Sequence, residues 1–98
     1  MTIDELTAEV HKSAANMPQL GKSIKLALKE GTIHIDLTGD SPAITNEDKD
    51  ADCVITTDID TLVGMRTGSV NPMMAMMGGK IKIKGDMGLA MKLQGLLT

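Results

Sequence analysis

The chain has 98 residues, 10 basic against 13 acidic for a formal charge of −3, and no Phe, Tyr or Trp. That length suits one domain with a single core, expected over residues 1–98. The charge and the missing aromatics exclude a nucleic-acid binder that relies on a basic footprint or on base stacking.

One cysteine, Cys53, allows no intramolecular disulfide and no Cys-rich zinc site. Asp4, Glu5 and Glu9 stand where a secretory signal would be basic and then apolar. No window reaches the roughly 18 consecutive apolar residues of a membrane span. The sequence finishes Leu96-Leu97-Thr98, not Ser-Lys-Leu. A cytoplasmic location is the expectation.

Thr2 and Glu5 form a capping-box pattern, and Ile3, Leu6, Val10, Ala14 and Met17 follow at helical spacing, which predicts an amphipathic helix over 3–15. Beyond Pro18 and Gly21 the period becomes two. Ile24, Leu26 and Leu28 alternate with Ser23, Lys25, Ala27 and Lys29, and after Glu30-Gly31 come Ile33, Ile35 and Leu37. The pattern predicts a hairpin with one wet face. A short strand at 43–45, a polar loop at 46–50 and a strand at 51–57 come next.

Asp58 to Thr67 has helical spacing in Ile59, Leu62, Val63 and Arg66, with Gly68 as its stop. Asn71 as N-cap and Pro72 at the first helical position open a short Met-rich helix that Gly78-Gly79 ends. Lys80, Lys82 and Lys84 then alternate with Ile81 and Ile83 as a strand, and Asp86 can cap a last helix running to the C-terminus. The expected fold class is α+β: a mainly antiparallel sheet, one face solvated, with helices packed on the other.

Met65, Met73, Met74, Met76, Met77, Met87 and Met91 are seven of nine methionines in the chain. An unbranched, polarizable side chain suits a wall that re-forms around ligands of different shape, and it also suits an ordinary core. Composition leaves both open. The last helix adds Leu89, Ala90, Leu93, Leu96 and Leu97, more apolar surface than one core stripe uses.

Motifs with familiar chemistry fit poorly. Asp48, Asp50 and Asp52 match the first ligands of a calcium loop, but Cys53 replaces its glycine and Ile59 its closing glutamate. Gly85-Asp86-Met87-Gly88 lacks the glycine-rich or basic context of a phosphate or RNA loop, so a strand-to-helix turn is expected. His11 and His34 have no partner at ligand spacing and are expected to face solvent. Cys53, on the inward parity, reads as a small core residue without an activating base. No metal, cofactor or catalytic residue is expected. Lys80, Lys82 and Lys84 read first as a solvated face or protected sheet edge, and second as a transient contact with anionic membrane headgroups.

The run Ala51-Asp52-Cys53-Val54-Ile55-Thr56-Thr57, then Gly68, Asn71-Pro72, and Gly79-Lys80-Ile81-Lys82-Ile83-Lys84-Gly85-Asp86-Met87-Gly88-Leu89-Ala90-Met91-Lys92-Leu93-Gln94, closely resembles the sterol carrier protein 2 family. The preceding helix and hairpin fit that family's order. The resemblance implies a five-stranded sheet with helices on one face, enclosing an apolar tunnel for fatty acid, fatty acyl-CoA, phospholipid or sterol. It also implies a non-catalytic carrier or a module attached to lipid-metabolising enzymes. Family members commonly carry aromatics where this chain has Met76 and Met77, and often Gln where it has Gly78.

Taken with the Met-rich stretch, the resemblance points to a wall of Leu62, Met65, Met73, Met76, Met77, Ile81, Ile83, Leu89, Ala90, Leu93 and Leu97. Burying about fourteen methylenes is worth on the order of 11 kcal/mol gross. Association and ordering take back roughly 4–15 kcal/mol, so micromolar affinity with little chain specificity is expected. The alternatives are a protein-interaction or dimerisation module for a lipid-metabolising enzyme, and an acyl-CoA hydrolase, for which no nucleophile is evident.

Overall fold

A computed structural model describes residues 1–15 and 21–90. The elements are α1 (Ile3–Ala14), β1 (Ser23–Leu28), β2 (Gly31–Asp36), β3 (Ala43–Thr45), β4 (Cys53–Thr57), α2 (Ile59–Thr67), α3 (Pro72–Met77) and β5 (Lys82–Gly85), followed by helical residues 87–90. Local chemistry sets most of these boundaries. In α1 the Thr2 hydroxyl accepts from Glu5 N–H at 3.2 Å and Glu5 Oε1 accepts from Thr2 N–H at 3.1 Å, which satisfies two otherwise orphaned donors. Asp58 caps α2 through Thr61 N–H at 2.7 Å, and Gly68 ends it at φ +83°. Asn71 Oδ1 takes the Met73 N–H at 2.9 Å to open α3. Asp86 Oδ1 takes Gly88 N–H at 2.9 Å at the start of the final helical residues.

The five strands form one sheet in the order β3-β2-β1-β4-β5. β1–β2, β2–β3 and β4–β5 are antiparallel, whereas β1 and β4 run parallel in the middle of the sheet. The sheet is therefore mixed and mostly antiparallel. Alternation decides its faces: Ile24, Leu26 and Leu28 are buried on the inner face, while Ser23, Lys25 and Ala27 lie on the outer. Register carries the inner residues across the strands in rows, Ile44–Ile35–Ile24–Cys53 and Ile33–Leu26–Ile55–Ile83. Leu6 and Val10 of α1, Ile59 and Leu62 of α2, Ala75 of α3, and Leu89 and Ala90 belong to the same buried cluster.

Two expectations are corrected by the packing. His34 was expected in solvent but is 5% exposed. Its outward parity is as read, yet the 46–50 segment comes against it: His34 Nε2 lies 3.1 Å from the Asp50 carbonyl, Asn46 Nδ2 donates to Thr32 O at 3.0 Å, and Lys25 pairs with Asp48 at 2.9 Å. The last strand starts at Lys82, not Lys80, because the Ala75 carbonyl takes the N–H groups of Lys80 (2.8 Å) and Ile81 (3.3 Å) before they can join the ladder. Among the described residues β5 pairs only with β4, so Lys82 and Lys84 stand exposed on an edge strand, in keeping with edge protection. The expected helix from Asp86 onward is described only as far as residue 90, and the remainder of that expectation lies outside the described residues.

Candidate functional site

The inner face presents aliphatic side chains from β1, β2, β4 and the approach to β5, and the helices supply the opposite wall. Leu62, Ile81, Leu89 and Ala90 are buried in this layer, and Met65 and Ile83 are partly buried against it. Met73, Met76 and Met77 lie on α3, all exposed, Met73 at 71% and Met77 at 82%. Leu93 and Leu97 fall outside the described residues. The structure thus brings Leu62, Met65, Ile81, Ile83, Leu89 and Ala90 into one cluster and sets the α3 methionines on its exterior.

The strand half of the layer, Ile24, Leu26, Ile33, Ile35 and Ile55, was absent from the expected wall. Its signal was available in the period-two alternation that predicted the strands. Val70 of the α2–α3 connection was likewise missed; it lines an open cleft of about 390 Å³ with Ser69, Asn71, Met74, Ala75, Gly78 and Lys80. That volume falls in the lower part of the range of about 300–1,000 Å³ for small-molecule sites. A second cleft, about 470 Å³, lies on the outer face among Lys25, Asp50, Asp52, Val54 and Lys84.

Polar chemistry sits mainly outside the layer. Cys53 is fully buried, and burial pushes its thiol up, away from the thiolate a nucleophile needs. Asp58 is held below the usual carboxylate range by its hydrogen bonds from Thr61, which fix it as the α2 cap. Asp86 is lowered by Lys22, its ion-pair partner, and by the N–H of Leu89. Arg66 pairs with Glu9, joining α2 to α1. Among the described residues no group of His, Cys, Asp or Glu could hold a metal ion, and no helix is long and apolar enough to cross a membrane.

A mostly antiparallel five-stranded sheet closed by helices over an aliphatic layer places the chain with the sterol carrier α+β folds. A solution structure of sterol carrier protein domain 2 of Helicoverpa armigera superimposes with a TM-score of 0.72 at 24% identity, covering 95% of this chain and 83% of that one. Aedes aegypti sterol carrier protein-2, solved in complex with the C16 fatty acid palmitate, gives 0.71 at 20% identity over 100% of this chain and 97% of that one. The chain belongs to the SCP-2 sterol transfer family, whose model matches residues 3–98. Sterol carrier protein 2 of Bos taurus is 48% identical over 69 residues, which span 69% of this chain but 13% of the bovine protein. Hydroxysteroid dehydrogenase-like protein 2 of Xenopus tropicalis is 53% identical over 47 residues, 48% of this chain and 11% of that protein.

Proposed function

We propose that residues 1–98 form a single non-catalytic module that holds a long-chain fatty acid, fatty acyl-CoA or related lipid between the inner sheet face and its covering helices. The observation that carries this reading is the continuous aliphatic layer in a member of a lipid-binding family, edged by side chains that are only partly buried. Leu62, Met65, Ile81, Ile83, Leu89 and Ala90 form the proposed wall, with Met73, Met76 and Met77 at its outer rim; Leu93 and Leu97 lie outside the described residues. A relative solved with palmitate supports the ligand class. Acyl-CoA hydrolysis has no support in Cys53, a buried thiol that burial pushes up.

Delipidated protein should bind palmitate, and acyl-CoA with comparable affinity, in fluorescent-probe displacement titrations, while releasing no free CoA. An unliganded but folded protein that displaces nothing, or thiol release that disappears in Cys53→Ala, would sink the carrier reading.

Four exposed methionines on one six-residue helix are not what an isolated surface helix presents. The proposed reading assigns this face to an anionic membrane surface, where lipid is taken up or delivered. Lys80 lines the same cleft as Met74, with no ion pair to it among the described residues, whereas Lys82 and Lys84 have the outer-face parity of the edge strand. A second copy fits less well, since α3 offers far fewer than the roughly 20–30 residues a side of a stable interface. Lys80→Glu should lower flotation with phosphatidylserine vesicles by about fivefold or more, at about 1 kcal/mol per lysine removed near such a surface. Equal flotation of parent and variant would remove this face from consideration.

A further inference from the structure

One buried polar atom has no use in the fold. Thr57, 7% exposed, follows Cys53 and Ile55 on the inward parity of β4, and its Oγ1 is buried with no hydrogen-bond partner among the described residues. Its carbonyl is satisfied, because Lys29 N–H donates to Thr57 O at 3.1 Å. Thr61, equally buried, is tied to the Asp58 carboxylate through its backbone N–H at 2.7 Å. Strand propensity does not explain Thr57 either, since valine has the same shape and suits a strand as well. An unsatisfied buried hydroxyl is a cost that valine would remove.

Its position gives the hydroxyl a role. Thr57 stands beside Leu28 in the inner face, and its neighbour Thr56 ends the β4–β5 ladder against Lys82, the residue after Ile81. Ile81 is tied to the Ala75 carbonyl of α3, and Ala75 is the buried member among the described side chains of that helix. The unpartnered donor therefore lies beside the end of that ladder, next to the segment that the Ala75 carbonyl of α3 holds. Lys29 and Lys80 lie close enough to the adjoining Asp58 to favour its charged form, so cations are within electrostatic reach of the same spot.

We propose that Thr57 Oγ1 donates a hydrogen bond to an acceptor oxygen at the polar end of the bound lipid, making this threonine a specificity-determining residue of the apolar layer. The proposal rests on the lipid-binding reading. It requires α3 to part from β4 as the ligand enters, and it gives the layer a polar end at the β4–α2 junction.

Thr57→Val separates this role from packing. Two probes matched in their apolar parts, pyrenedodecanoic acid and dodecylpyrene, differ in the oxygen that the hydroxyl would hold. The valine variant should melt at the same or a higher temperature than the ligand-free parent, bind the acid about fivefold or more weakly, and bind dodecylpyrene as the parent does. Thr57→Ser, which keeps the hydroxyl, should restore the preference for the acid. The proposal is overturned if valine leaves acid binding unchanged, weakens both probes alike, or lowers the ligand-free melting temperature, the last meaning that the hydroxyl already has a protein partner. A parent that binds neither probe would instead overturn the lipid-binding reading beneath it.

Discussion

Gly85→Ala should lower stability by more than about 3 kcal/mol or prevent folding, whereas Gly68→Ala should cost only about 1–2 kcal/mol. Both glycines have left-handed backbone, φ +103° at Gly85 and +83° at Gly68, so the conformational penalty is common to the two. Their surroundings differ. A Cβ on Gly85 would lie 2.2 Å from the carbonyl oxygen of Asp52 and 3.2 Å from Cys53 Cα, while one on Gly68 meets nothing within 4 Å. The obstructing atoms are backbone and cannot step aside. Asp52 O accepts the Asp86 N–H at 3.1 Å, and Asp52 N–H donates to Ser23 O at 3.1 Å, so moving this strand end disturbs its links to both neighbours. Paired urea melts of the two variants read the difference directly.

Leu26→Ala should cost about 3–5 kcal/mol, a large share of the roughly 5–15 kcal/mol by which ordinary domains are stable. Leu26 is completely buried, with Ile33 and Ile55 as its register partners in the middle of the inner row. Removing its side chain there leaves a cavity that β1 cannot close, since the strand is paired on both sides. Thr56→Ala, at an exposed position on the outer face of β4, should fall within about 0.5 kcal/mol of the parent. Equal losses at Leu26 and Thr56 in denaturant melts would mean that the inner row is not the core.

What could be read from the sequence was what neighbours in the chain decide. Thr2 with Glu5, Asp58, Asn71 and Asp86 cap helices through residues two or three positions away, and Gly68 stops one by its own φ, so element types and ends were legible. The alternation of Ile24, Leu26 and Leu28 likewise declared the inner face. The parallel pairing of β1 with β4 was not legible, because nothing local in Ile24–Leu28 marks Cys53–Thr57 as its neighbour. His34 shows the same limit: parity placed it on the outer face, but only the path of the 46–50 segment buries it. Within the candidate wall, Leu62, Ile81 and Leu89 follow helix or strand phase into the cluster. The α3 methionines could not be phased that way, since apolar residues occupy almost every position of a six-residue helix and only Ala75 among its described side chains turns inward. The orphaned Thr57 hydroxyl needed coordinates, because a threonine on the inward parity is indistinguishable in sequence from one with a partner.

The most direct test of a lipid held on the inner face is methyl NMR of the delipidated protein titrated with a nitroxide-labelled fatty acid. Stoichiometric addition should broaden the methyl resonances of Leu62, Ile83 and Leu89 and spare those of Ala27 and Val54 on the outer face. Broadening confined to Ala27 and Val54, or none at ligand concentrations below its critical micelle concentration, would contradict it.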